Sequence, residues 1–180
     1  MPKFTIITAC YNAEKFISKA IETIRAQTFT DWEYNVIDDG STDNSAEIIS
    51  SYKKLEPRLK LIKQSNSGMC IARNNGFKAS YQESQYLLFF DADDCLEPQM
   101  LEVMINYLNA HPDIGAAYCD FYNIDADDKP INPAEPVTKT IVMIIIPYFP
   151  TTLWFFFSIS RPIFSDYNKM LSNLTFIFYK

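Results

Sequence analysis

The chain has 180 residues, is 48% hydrophobic and 21% charged, and carries a formal net charge of −6. That length suits one domain with a sizeable core, and the composition excludes a disordered chain, a collagen-like repeat and a disulfide scaffold. Sixteen basic residues against twenty-two acidic ones exclude a non-specific nucleic-acid binder, because no surplus of Lys and Arg is left to displace counterions from a phosphate backbone. An acidic protein that handles an anionic ligand needs a metal ion or a local cluster of donors. Cys10, Cys70, Cys95 and Cys119 show no C-x-x-C spacing. They read as reduced, mostly buried residues of a cytoplasmic protein. Met1-Pro2-Lys3 leads straight into Phe4-Thr5-Ile6-Ile7, with no room for the apolar core of a secretion signal.

Strands and helices alternate from the start. Lys3–Thr8 is β-branched and apolar, a short buried strand. Asn12 is placed to cap a helix to about Gln27, whose Phe16, Ile17, Ala20, Ile21 and Ile24 share one face. Trp32–Ile37 reads as the second strand, a helix follows over Asn44–Lys54, and Leu59–Ile62 is the third strand. Gly68–Ser80 reads as a helix and Tyr86–Phe90 as a wholly apolar strand. Pro98 suits the first turn of a helix carrying Leu101, Met104, Ile105 and Leu108, which His111-Pro112 stops before a strand at Ile114–Tyr118. Alternation of this kind predicts an α/β fold: a Rossmann-like, mainly parallel sheet with helices on both faces and ligands beyond the carboxyl ends of the strands.

Three polar clusters fall at those ends. Asp91-Ala92-Asp93-Asp94 sets three carboxylates within four residues directly after a strand. They repel one another unless a hard cation such as Mg²⁺ or Mn²⁺ sits among them; the competing reading is a solvated turn whose aspartates cap the next helix. Asp38-Asp39-Gly40-Ser41-Thr42-Asp43 follows the second strand. A carboxylate there can accept an N–H from a base or a hydroxyl from a sugar, and Ser41 or Asp43 can cap the following helix. In Asn66-Ser67-Gly68 through Arg73-Asn74-Asn75-Gly76 a helix opens near the same face, and Arg73 offers paired donors to phosphate oxygens. The segment has neither the P-loop spacing nor G-x-G-x-x-G.

Taken in order, Ile7–Asn12, Val36–Asp43, Asn66–Gly76 and Phe90–Asp94, with the linking Ala26-Gln27-Thr28-Phe29 and Asp31-Trp32-Glu33, resemble the motif set of the family 2 glycosyltransferases over about residues 3–125. The resemblance implies the GT-A fold, a nucleotide-diphospho-sugar donor with UDP foremost, a divalent metal (Mn²⁺ or Mg²⁺), and a glycan or lipid acceptor. It implies that Asp39 meets the nucleobase, helped by the segment from Thr8 to Tyr11, that Arg73 lies near the base or the phosphates, and that Asp91 and Asp93 hold the ribose and the metal-bound diphosphate. It also implies inversion of the sugar by a catalytic base in a later segment, commonly within a Glu-Asp pair. After Glu135 the only acidic residue is Asp166, so the base is not identified.

Texture changes near residue 130. All four glycines lie before it, six of the ten prolines lie from Pro130 on, and only Arg161, Asp166, Lys169 and Lys180 are charged beyond Ile141. The expected division is therefore a nucleotide-sugar-binding domain over 1–130 and a hydrophobic Pro/Phe-rich tail over 131–180. Ile141–Ile159 is uncharged over nineteen residues but carries Pro147 and Pro150. Three readings stand for the tail: a segment that crosses or lies on the membrane, at its cytoplasmic face; an apolar tail packed on the domain; or a truncated or frame-shifted acceptor half. Two functional alternatives to a working transferase go with them, an inactive nucleotide-sugar-binding remnant and a membrane-attached interaction module.

Overall fold

The computed structural model describes residues 2–80, 84–112, 116–118, 124–125, 129, 131, 144–145 and 175–176. In chain order the elements are β1 (Phe4–Cys10), α1 (Ile17–Arg25), β2 (Trp32–Asp38), α2 (Ser45–Leu55), β3 (Leu59–Lys63), α3 (Met69–Lys78), β4 (Tyr86–Phe89), α4 (Met100–Ala110), β5 (Ala116–Tyr118), β6 (Ile144–Ile145) and β7 (Thr175–Phe176). They form one sheet of order β3-β2-β1-β4-β6-β5-β7. β3, β2, β1 and β4 run parallel. β6 pairs antiparallel with both β4 and β5, and β7 antiparallel with β5. The sheet thus takes in two short pieces of the chain beyond residue 130. Asp120, Trp154, Asp166 and the rest of the tail lie outside the described residues.

Period-two alternation along β1 and β2 divides the core. Phe4, Ile6, Trp32, Tyr34 and Val36 face one side and pack on Ile17, Ile21 and Ile24 of α1, Ile49 of α2, and Leu101, Met104 and Leu108 of α4. Ile7, Ile37 and Leu87 face the other side and pack on Ala72 of α3. Burying each such side chain contributes roughly 1.5–3 kcal/mol. α3 lies unusually close to the sheet. A Cβ on Gly76 would stand 2.5 Å from both Ile7 Cγ2 and Ile37 Cδ1, and Asn35, fully buried on β2, donates from Nδ2 to the Gly76 carbonyl at 3.2 Å. At the far, amino-terminal edge, Arg58 stacks 3.5 Å above the Trp32 ring and grips both oxygens of Glu56 at 2.8 Å. Planar stacking and a two-point carboxylate contact suit arginine specifically.

Helix α1 begins four residues later than the capping rule predicts, with Phe16 rather than Asn12 in the cap position. Asn12 takes a left-handed backbone with φ 51°, so it cannot lead a helix, and Ala13 instead starts a turn that accepts from Phe16 N and Ile17 N at 2.9 Å. Asn12 spends its side chain elsewhere. Likewise Pro98 lies outside α4, which starts at Met100.

Candidate functional site

Parallel register brings the ends of three strands to one edge: Cys10 lies opposite Asp38 and Ile7 opposite Phe89. The loops after β1 and β2 clasp each other there. Asn12 Oδ1 accepts from Thr42 N at 2.8 Å, while Asn12 N donates to Ser41 Oγ at 3.1 Å. Ala13 N donates to Ser45 Oγ at 2.8 Å and Glu14 N to Asp43 Oδ2 at 3.0 Å. Glu14 Oε2 in return accepts from Asn44 N and Nδ2. Asp43 also accepts from Ser45 N at 3.0 Å, the local bond of an aspartate heading a helix. Desolvation raises the Asp43 pKa, but hydrogen bonds from the Ser45 side chain and from backbone N–H groups outweigh it and hold the carboxyl below its usual range. From this clasp Tyr11 projects, 51% exposed.

Asp39 sits behind it, 3% exposed. Its Oδ1 accepts from Gln64 Nε2 at 2.7 Å and Ser67 N at 2.9 Å, and its Oδ2 from Gly68 N at 2.9 Å. Gly40, with φ +75°, lets the 64–68 loop come this close, because a Cβ there would stand 2.8 Å from Asn66 N. Gly68, φ +88°, then turns the loop into α3.

On α3, Arg73 is 5% exposed. Its Nη2 donates to Asp91 Oδ1, its guanidinium lies 5.9 Å from the Phe89 ring centroid, and its buried Nε has no hydrogen-bond partner. Two of the sequence-predicted residues are therefore bonded to each other: the cation orients the first carboxylate of the acidic turn. In that turn Asp91 is partly exposed, Asp93 exposed and Asp94 buried, and Asp94 N donates to the Asp91 carbonyl at 3.2 Å. Because Gln99 is the residue that precedes α4, this turn is not the start of a helix, and the capping alternative for its aspartates falls away. Among the described residues no group of three or more His, Cys, Asp or Glu side chains is arranged to hold an ion by itself.

The side chain of Thr8 is turned into the fold. It is wholly buried, its hydroxyl donates to the Phe90 carbonyl at 2.7 Å, and it shares a hydrogen bond with Tyr34 Oη at 2.9 Å. The Thr8 side chain thus ties β1 to Tyr34 of β2 and to the chain just after β4. Burial pushes the Tyr34 hydroxyl well above its usual pKa, with the Thr8 bond opposing. Burial likewise pushes the Cys10 thiol up to about 11.

Three residues escaped the sequence reading. Gln64 and Asn75 form a side-chain pair, Asn75 Nδ2 donating to Gln64 Oε1 at 2.8 Å. Gln27, 3% exposed, donates from Nε2 to the Thr23 and Glu97 carbonyls at 3.0 and 2.8 Å and accepts Leu101 N on Oε1 at 3.0 Å. It caps α4 from across the fold. Its only sequence signal was its place in the Ala26–Phe29 linker.

The sequence model of "Glycosyl transferase family 2" matches residues 5–173. The chain belongs to this family. The match runs past residue 125, where the recognisable motifs stop. As a family 2 glycosyltransferase the chain is 32% identical over 135 residues to the glycosyltransferase EpsJ of Bacillus subtilis, covering 75% of this chain and 38% of that protein. It spans between 14% and 42% of the length of the curated relatives it matches. Among solved structures, TarS residues 1–349 of S. aureus with UDP-GlcNAc superimposes with a TM-score of 0.64 at 22% identity, over 81% of this chain and 45% of that one. The mannosyltransferase PcManGT of Pyrobaculum calidifontis, in complex with GDP-Man and Mn²⁺, gives 0.59 at 24%, over 64% and 34%. These likenesses establish the expected GT-A fold.

Proposed function

We propose that the described residues form the donor site of a sugar transferase, which binds a nucleotide-diphospho-sugar, a UDP-sugar foremost, and passes the sugar with inversion to a glycan or lipid hydroxyl. The observation that carries this is the convergence, at one edge of the parallel sheet in a family 2 member, of an exposed aromatic ring, a carboxylate held as an acceptor and an arginine-oriented acidic turn. Structures of TarS and PcManGT with UDP-GlcNAc and with GDP-Man and Mn²⁺ support the ligand class. Tyr11 offers its ring face to the base. Asp39, with three donors on its two oxygens, keeps a lone pair on Oδ2 for a base N–H. Arg73 holds Asp91 toward the ribose and diphosphate rather than meeting phosphate itself.

The donor set fits Mg²⁺ or Mn²⁺: such ions take one or two carboxylates and complete their shell with water and substrate phosphates, and Asp91 and Asp93 leave room for that. When bound, the ion would stabilise the negative charge on the departing nucleoside diphosphate. Asp93 would hold it, and Asp91, fixed by Arg73, would orient the diphosphate end of the donor. Calorimetry of the chain with UDP, GDP and dTDP, each with Mn²⁺, tests the reading: we expect binding by UDP that weakens on chelation, and binding by none of the three would refute it.

A further inference from the structure

The chain Asn75–Gln64–Asp39 is directional, and its direction is fixed by chemistry. An ionised carboxylate can only accept, so Gln64 must turn Nε2 toward Asp39 Oδ1, at 2.7 Å. That leaves Gln64 Oε1 facing α3, where it can only accept, and Asn75 meets it with Nδ2 at 2.8 Å. Flipping either amide would set like groups against each other. Asn75 is two residues from Arg73 on the same helix, and that helix is seated on the sheet through Gly76. Gln64 N also donates to the Asp38 carbonyl at 3.0 Å, which anchors the residue next to the carboxylate it bonds.

Resting on the donor-site reading above, we infer that Gln64, braced by Asn75, is a positioning residue that locks the Asp39 carboxylate as a pure acceptor toward the base and so sets base choice. Gln64 and Ser67 N together occupy Oδ1, which stops the carboxylate from rotating and leaves the free lone pair on Oδ2. A base with a ring N–H at the contact point, such as uracil, is then accepted. Cytosine, whose corresponding nitrogen is itself an acceptor, meets acceptor against acceptor and is rejected. Sites built to pair one polar group discriminate strongly because the mismatched partner leaves a buried group unpaired.

The test compares UDP with CDP, each with excess Mn²⁺, by calorimetry on the 180-residue chain and two variants. Gln64→Met keeps length and volume but removes the donor; Asn75→Ala removes the brace. We expect the unaltered chain to prefer UDP, and Gln64→Met to cut the UDP-to-CDP preference about tenfold, mostly by weakening UDP. Asn75→Ala should give a smaller cut, and the double variant no more than Gln64→Met alone. Equal weakening of both nucleotides in the variants would mean a purely structural role and overturn the inference. So would an unaltered chain that binds UDP and CDP alike, while leaving the donor site standing. Binding of no nucleotide by the unaltered chain would remove the donor-site reading and this inference with it. Thermal melts report whether each variant folds; if Gln64→Met does not, an unchanged preference in Asn75→Ala is sufficient to overturn the proposal.

Discussion

Gly76→Ala tests how closely the site depends on the seating of α3. The added methyl would lie 2.5 Å from Ile7 Cγ2 and from Ile37 Cδ1, and 3.3 Å from Ile37 Cγ1. Ordinary carbon contacts lie at about 3.5–4.0 Å, so helix and sheet must part by about 1 Å. Ile37 Cδ1 can swing aside, but Ile7 Cγ2 sits on a β-branched carbon with one stiff torsion. The helix therefore moves, straining the Asn35–Gly76 bond of 3.2 Å and drawing Arg73 from Asp91. Overpacking of this kind costs about 2–3 kcal/mol, which for a chain of this size lowers the melting temperature by roughly 5–10 °C. Circular dichroism melts measure that loss, and calorimetry with UDP and Mn²⁺ measures the displacement of the site. Adding Ile37→Val, which deletes Cδ1, should restore part of the stability. A Gly76→Ala chain that melts within about 2 °C of the original and binds UDP equally would show that the helix is not held where its glycine allows, and the reasoning would fail.

Other outcomes follow from single contacts. Gln27→Ala removes the acceptor for Leu101 N and the donors to the Thr23 and Glu97 carbonyls, and should cost about 2–4 kcal/mol by urea unfolding without altering which nucleotide binds. Asp93→Ala should abolish the Mn²⁺-dependent part of UDP binding while leaving the metal-free melting temperature the same or higher, because it relieves repulsion in the acidic turn; a lower melting temperature with UDP binding intact would refute the metal role. Hydrogen bonding to Arg58 holds the Glu56 carboxyl below its usual pKa against desolvation. A carboxyl depressed on folding contributes stability that is complete above its unfolded value and is lost as pH falls through its folded value. Glu56→Gln should therefore flatten the loss of stability below about pH 5 and be least costly at low pH. Cys70, exposed, should react at once with a thiol reagent, while Cys10, buried and with its thiol raised to about 11, should react only as the chain unfolds; rapid modification of both would contradict the packing of β1.

Much of the parallel half was legible because its signals are local. Apolar runs such as Tyr86–Phe89 and the facing residues Ile17, Ile21 and Ile24 are set by periodicity, and the ends of β2 and α2 fell within a residue of expectation. The acidic turn and Asp39 stand out in the sequence by residue type at strand ends, and Arg73 by its place in the helix that opens beside them. Long-range partners were not legible. Asn12 looks like a helix cap until Thr42, thirty residues on, claims its side chain. Nothing near Thr8 in sequence shows that its hydroxyl is taken by Tyr34 and Phe90. Gln27 and Gln64 carry no charge and fit no spacing rule; what makes them important is a carbonyl or carboxylate brought near by other elements. Arg73 was expected to seek phosphate, and only the fold shows that its nearest anion is Asp91.

The clasp between the loops after β1 and β2 has a kinetic consequence. Its bonds run both ways: Asn12 and Glu14 receive from the second loop, while Asn12, Ala13 and Glu14 give to it. Neither loop can lift away alone without stranding donors on both, so the two must open as one cooperative unit. The ring of Tyr11 is thereby carried on a frame that is already ordered, and little conformational entropy is left to be lost when a ligand arrives.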